Sequence, residues 1–291
     1  MTTSFTEAAC VAETAALCGE SPVWDARHRV LRWVDIANHQ VHAFDPATSI
    51  NTTFKLPFLV SAVLLLVGSD DLVVATARGL ALLNLKTEQL DILHDPEPDL
   101  TGNRLNDCKA DPQGNLFAGT MSEGAKGPTG SLWRYQGNDP RKLVDGLTVS
   151  NGLGWSPDAR RFYLVDSAAG KIYAFDHHPE SGALSNRTVL ASRTPEKGKP
   201  DGLCVDRDGN IWVALWDGGR VECLSPEGKI LRQIKLRAQR PTSCCFGGDD
   251  LKRLYITSAA IGVDTPDLDG GLFAIDVETP GLTATAVRWQ A

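Results

Sequence analysis

The chain has no excess of positive charge. Its 29 Lys and Arg stand against 36 Asp and Glu, for a formal net charge of −7. The basic residues are scattered, so no patch is set up to neutralise phosphates, and nucleic acid is excluded as a default partner. A long hydrophobic run is missing too. The longest, Phe58 to Val67, is about half of a membrane span and reads as a buried strand, so no membrane partner is expected. The first residues, Met1 to Glu7, lack a basic region followed by an apolar core, which argues against a secretory signal. Cysteine pairing is also absent. The seven cysteines are odd in number and none are spaced as C-x-x-C. That pattern points to reduced thiols in a cytoplasmic protein and away from a disulfide framework or a thiolate zinc site. Among the six histidines there is no H-x-x-x-H pair. No G-x-S-x-G elbow offers a serine nucleophile. Cys204 and the Cys244–Cys245 pair lie in apolar runs where a packed thiol is the expected role. Finally, no long amphipathic helix pattern interrupts the chain.

What the chain does have is repetition. Short apolar runs separated by Gly, Asp and Pro turns recur six times. They begin at Glu20, Ser61, Asn106, Asn151, Asp201 and Ser243. From Asn106 to Asn151 is 45 residues, from Asn151 to Asp201 is 50, and from Glu20 to Asn106 is 86, which spans two repeats. Three-to-four-stranded units at a period of roughly 40–50 residues predict a β-propeller. The fold class is therefore all-β, a six-bladed propeller, and with no linker or break in composition one domain is expected over residues 1–291. Ala9 to Ala12 and Thr283 to Trp289 are expected to supply outermost strands that close the ring from both termini and hide its open edges.

Glu20, Asn106, Asn151 and Asp201 share a register, each standing where the first strand of its repeat begins. In a propeller that strand is innermost, so the four positions ring one mouth of the central channel. Asn151-Gly152 and Asp201-Gly202 are also ordinary turn dipeptides. Glu20 has no such local reason to precede Ser21-Pro22. Two carboxylates and two amides at one mouth form an all-oxygen set. The carboxylates would repel, and a divalent cation would relieve them. Oxygen donors favour hard ions, so Ca²⁺, Mg²⁺ and Mn²⁺ rank ahead of Zn²⁺. Three protein ligands would leave positions open for water and substrate.

Several stretches together resemble the gluconolactonase family, the family of regucalcin (senescence marker protein 30). They are Gly19 to Trp24, Asn103 to Asp107, Phe117 to Met121, Ser150 to Leu153, Pro200 to Gly202, Gly218 to Val221 and Thr242 to Gly248. The match runs through essentially the whole chain in order. The resemblance implies a six-bladed propeller with one catalytic divalent ion, Ca²⁺ first among the candidates. It implies Glu20, Asn151 and Asp201 as ligands, and Arg104 and Asn106 as substrate contacts. The implied chemistry is hydrolysis of a sugar lactone, with the ion polarising the lactone carbonyl and Asp201 taking a proton from the attacking water. Arg104 would offer a forked donor to ring hydroxyls or the ester oxygen.

The pattern departs from regucalcin-like members after Met121. They carry two consecutive acidic residues there, the second facing the sugar, whereas this chain has Glu123 followed by Gly124. Residues 122–130 are Gly-rich and polar, as a mobile lid would be. Glu123 is the candidate for the sugar contact. A smaller pocket would favour a pentonolactone, such as arabinono- or xylonolactone, over gluconolactone. Two other readings stand beside the lactonase. One is a propeller that binds calcium or a sugar acid without turnover. The other, weaker, is an esterase for aryl or organophosphate esters.

Overall fold

The computed structural model describes residues 5–289. Residues 1–4, on which the leader reading partly rests, lie outside the described residues. Six sheets form six blades, antiparallel throughout except for one strand added to the edge of blade 5. The innermost strands are Gly19–Asp25, Val60–Leu65, Asn103–Ala110, Ser150–Trp155, Lys199–Val205 and Pro241–Gly247, in blades 1 to 6. Each blade then runs outward in chain order through tight turns. In blades 3 and 5 the turn between first and second strands is built on an aspartate. Asp111 accepts from the backbone N–H groups of Gln113 and Asn115, and Asp206 from those of Asp208 and Asn210. A short acceptor that satisfies two turn donors is the local reason for Asp at these positions.

The core is divided into apolar layers between neighbouring blades. Leu105, Ala118 and Tyr135 of blade 3 pack on Leu64, Val73 and Leu80 of blade 2. Leu203, Val213 and Leu215 of blade 5 pack on Tyr163, Val165 and Ile172 of blade 4. Second strands such as Leu72–Thr76 are buried along their whole length, because both faces of a blade meet a neighbour.

The ring closes with the N-terminal side alone. Ala9–Ala12 pairs with Leu272–Asp276 as the outermost strand of blade 6, as expected. Phe5–Glu7 adds a fifth strand to blade 5, parallel to Ile230–Lys235. The expectation for Thr283 to Trp289 is corrected. This segment forms no outer strand, because the edge of blade 6 is already taken. It crosses the channel end that faces away from Glu20 and Asp201. There Leu282 N–H donates to Val205 O (3.3 Å), Val287 N–H to Leu65 O (2.7 Å) and Arg288 N–H to Gly114 O (2.8 Å). The alternating Thr-Ala pattern specifies extended backbone, and extended backbone serves equally well as a strap.

Candidate metal centre and lactone pocket

Every inner strand carries a β-bulge near its start. The pairing with the second strand skips between Glu20 and Val23, Val60 and Ala62, Leu105 and Cys108, Asn151 and Leu153, Pro200 and Leu203, and Pro241 and Ser243. A bulge re-aims side chains and bends the strand. Repeated around the ring, it turns one residue after another toward the channel mouth.

The same bulges tie the blades together. Val63 N–H donates to Ser21 Oγ (3.1 Å), Ser61 Oγ to Leu105 O (3.0 Å) and Asn106 Nδ2 to Ser150 O (3.0 Å). Asn151 Nδ2 donates to Asp201 Oδ1, and Thr242 Oγ1 to Gly19 O. Between blades 5 and 6 the contact is steric: a Cβ at Gly202 would lie 2.0 Å from Ser243 Oγ and 2.4 Å from its Cβ. Gly152 is equally confined, since its Cβ would meet Asp201 O at 2.5 Å. Asn151-Gly152 and Asp201-Gly202 are thus strand bulges rather than turns. Their glycines are needed for close approach between blades.

Two aspartates fix the strands that bear Glu20 and Asn151. Asp35 accepts from Leu17 N–H (2.9 Å) and Cys18 N–H (3.0 Å) just before Gly19. Asp166 accepts from Thr148 N–H and Val149 N–H, both at 3.1 Å, just before Ser150. Each holds the lead-in of an inner strand from the end of the second strand of the same blade.

Glu20, Asn106, Asn151 and Asp201 are all buried. The Glu20 carboxyl is pushed up to about 8 by burial and then by the Asp107 carboxylate. Asp201 is raised well above the ordinary range by burial, then by Glu20 and Asp107. Three carboxyls therefore act on one another in a water-poor space, and charged forms there are costly unless a cation is near. Asp107 and Lys109 are further candidates at this site to which the sequence assigned no role. Strict strand alternation turns Asp107 away from the side of Asn106, but the bulge places Asn106 and Asp107 together opposite Gly119. Asp107, Cys108 and Lys109 line a channel cavity of about 290 Å³ below the mouth, with Leu153, Trp155, Phe246 and Leu282 among its walls.

The substrate-contact candidates sit beside the carboxyls. Arg104 Nη1 donates to Asn106 Oδ1 (2.9 Å) and to Leu105 O (2.8 Å). Burial pulls the Arg104 guanidinium down, and Cys18, Glu123 and Glu20 each push it back up. Glu123 opens an exposed 3₁₀ turn, Glu123–Ala125, and its backbone N–H donates to Gly102 O (2.8 Å). Gly124 follows at φ 70, a left-handed conformation that suits glycine far better than glutamate. Asn103 pins the far end of the lid. Its Nδ2 donates to Glu97 Oε2 (2.7 Å) and Thr129 O (2.9 Å), and its Oδ1 accepts from Thr129 Oγ1 (2.7 Å).

Among the described residues no three His, Cys, Asp or Glu side chains are grouped to hold a metal ion. The set at this mouth is of another kind, two carboxylates and a carboxamide. Its chemistry fits a hard divalent ion. The Asn151 amide lies against the Asp201 carboxylate, and a half-turn about its Cβ–Cγ bond would present Oδ1 in place of Nδ2. The buried carboxyls have charge to be offset.

With this geometry in place, the comparisons decide the family. The SMP-30/gluconolactonase/LRE-like region matches residues 18–260. The chain belongs to that family. It is 37% identical over 280 residues to regucalcin of Oryctolagus cuniculus, covering 91% of this chain and 93% of that one. It is 35% identical over 282 residues to the "Putative sugar lactone lactonase YvrE" of Bacillus subtilis strain 168, covering 94% and 96%. Among solved structures it resembles a calcium-binding protein, regucalcin, from Agrobacterium tumefaciens, with a TM-score of 0.92 and 28% identity over 98% of this chain and 99% of the other. Family and fold agree on a six-bladed propeller.

Proposed function

We propose that the protein is a metal-dependent sugar lactonase that hydrolyses an aldonolactone, a gluconolactone or a pentonolactone, to the aldonic acid. The observation that carries this reading is the meeting of Glu20, Asn151 and Asp201 from three blades at one mouth, with the Arg104–Asn106 pair alongside. A family relative that bears the name of a sugar lactone lactonase supports it.

Glu20, Asn151 and Asp201 would hold one divalent ion, Ca²⁺ ranked first and Mg²⁺, Mn²⁺ and Zn²⁺ as alternatives. When bound, the ion supplies Lewis-acid polarisation of the lactone carbonyl and charge to stabilise the tetrahedral oxyanion. The chain's own groups then do the rest. Arg104, held in place by its bond to Asn106, presents its remaining N–H groups to ring hydroxyls or the ester oxygen. The Asp201 carboxylate takes a proton from the attacking water as that water's oxygen bonds to the carbonyl carbon. The ring C–O bond breaks, and the proton passes to the departing ring oxygen, which becomes the hydroxyl of the open acid. Glu123, on the lid, would accept from a sugar hydroxyl.

The test is a panel of aldonolactones assayed ion by ion. Protein stripped with a chelator is expected to lose hydrolysis and to regain it with a divalent ion, and full activity without metal would sink the mechanism. A second reading, ion binding without turnover, is favoured by the calcium-binding description of the Agrobacterium neighbour. In the same panel it would appear as a bound ion with no lactone hydrolysed. Greater turnover of aryl esters than of lactones would point to an esterase instead. Among the described residues no helix is long and apolar enough to cross a membrane. A cytoplasmic setting remains part of the proposal.

A further inference from the structure

Lys109 lies on the inner strand of blade 3, two residues beyond Asp107. Its side chain reaches across the channel. Nζ donates to Leu153 O of blade 4 and to Leu203 O of blade 5, both at 2.8 Å. Leu153 and Leu203 each stand two residues beyond Asn151 and Asp201 on the same strands. The ammonium is thus seated one layer below the mouth, tied to the backbone of two strands that carry proposed ligands. It also lines the cavity together with Asp107.

With each carboxyl taken in the ionised form it would have around a bound cation, the formal charges at this mouth can be counted. Glu20, Asp107 and Asp201 are buried carboxyls drawn from blades 1, 3 and 5. Arg104 and Glu123, which flank these carboxyls, bear opposite charges whose formal sum is zero. Among the described residues lining the cavity below the carboxyls, the cation is Lys109. Three negative charges and one positive leave a deficit of two.

We propose that Lys109 is the built-in counter-charge of this site, setting its deficit to that of a divalent ion and so giving it preference for divalent over trivalent cations. This rests on the reading that Glu20, Asn151 and Asp201 hold a cation. A purely mechanical strut would explain the two carbonyl contacts equally well, but it would leave ion preference untouched. An extra negative charge in a water-poor site attracts a trivalent ion more than a divalent one, by the added unit of charge.

The experiment is competition between Ca²⁺ and Tb³⁺ on the full chain, read as the ratio of their Kd values by calorimetry or Tb³⁺ luminescence. Lys109→Gln keeps a donor and removes the charge; it is expected to shift the ratio toward Tb³⁺ by about tenfold or more, while Lys109→Arg leaves it within about twofold. Asp107→Asn removes one negative charge and is expected to shift the ratio the other way, and the double variant to restore it. The Asp107→Asn arm stands on its own if Lys109→Gln does not fold. A folded Lys109→Gln with the wild-type ratio, or an Asp107→Asn protein with an unmoved ratio, overturns the proposal. Wild-type protein that binds neither ion overturns the cation site itself, and the role of Lys109 falls with it.

Discussion

The two sides of the channel mouth are built on opposite principles. On the floor, Glu20, Asn106, Asn151 and Asp201 sit at bulges of inner strands and are buried; Asn106, Asn151 and Asp201 are bonded to neighbouring blades, and Glu20 is flanked by Gly19 and Ser21, which are. On the lid, residues 123–126 are exposed, and the turn is held by Glu123 N–H to Gly102 O, Lys126 N–H to Ser122 Oγ (3.2 Å) and the Asn103–Thr129 pair. Groups that hold an ion and move a proton must keep their geometry through the reaction, so a rigid scaffold suits them. Groups that recognise one sugar among many can stand on a loop, where substitutions disturb nothing beneath. The floor is expected to tolerate no change, and the lid to tolerate several.

The largest expected effect is on the floor. Asp201→Asn is expected to lower kcat/KM on the best lactone by about 10³-fold, since it removes a proposed ligand charge and the general base together. Steady-state kinetics at saturating metal checks this, and near-normal turnover would remove Asp201 as base. Next comes a pair of alanine substitutions at glycines, which sets floor against lid directly. In Gly202→Ala the new methyl meets Ser243 between blades 5 and 6, and about 2 kcal/mol of stability is expected to go, with ion affinity weakened too. In Gly124→Ala the nearest atom to the methyl is the far end of the Lys126 side chain at 3.4 Å. Only the left-handed backbone resists there, so a loss of about 1 kcal/mol or less is expected, with ion affinity unchanged. Thermal melts with and without the ion measure both. Equal losses would erase the distinction between the two sides.

The sequence carried the floor better than the lid, for physical reasons. Repeat period and turn composition are set by local chemistry, so six blades and the inner-strand starts at Glu20, Asn106, Asn151 and Asp201 could be read directly. A bulge has no sequence period of its own. Asn151-Gly152 and Asp201-Gly202 therefore also read as turn dipeptides, and nothing in the sequence assigned Asp107 a place beside Asn106. The need for Gly202 comes from Ser243, 41 residues on, and no local pattern reports that. Thr283 to Trp289 shows the same limit, since an alternating segment cannot say whether an edge is still open to receive it. Lys109 was invisible for a similar reason, because its partners are carbonyls of Leu153 and Leu203, contributed by other blades.

The smallest expected effect concerns how the lid is held. Asn103 uses both ends of its carboxamide to join Glu97, itself bonded to Trp133 Nε1 (3.0 Å) and Thr120 Oγ1 (3.1 Å), to Thr129 at the end of the lid. Glu97 is buried and fixed by blade 3, so the lid's position is set by a chain of bonds that ends in the rigid part of the molecule. Asn103→Ala cuts that chain without touching a proposed ligand. Ion affinity and melting temperature in the presence of the ion are expected to stay near wild type. KM for the preferred lactone is expected to rise about fivefold, with kcat within about twofold, because a loosened lid costs binding in ground and transition states alike. The preference between pentono- and hexonolactones should narrow at the same time. If kcat falls and KM stays, Asn103 positions the reacting groups through its neighbour Arg104, and the border between floor and lid runs on the other side of Asn103.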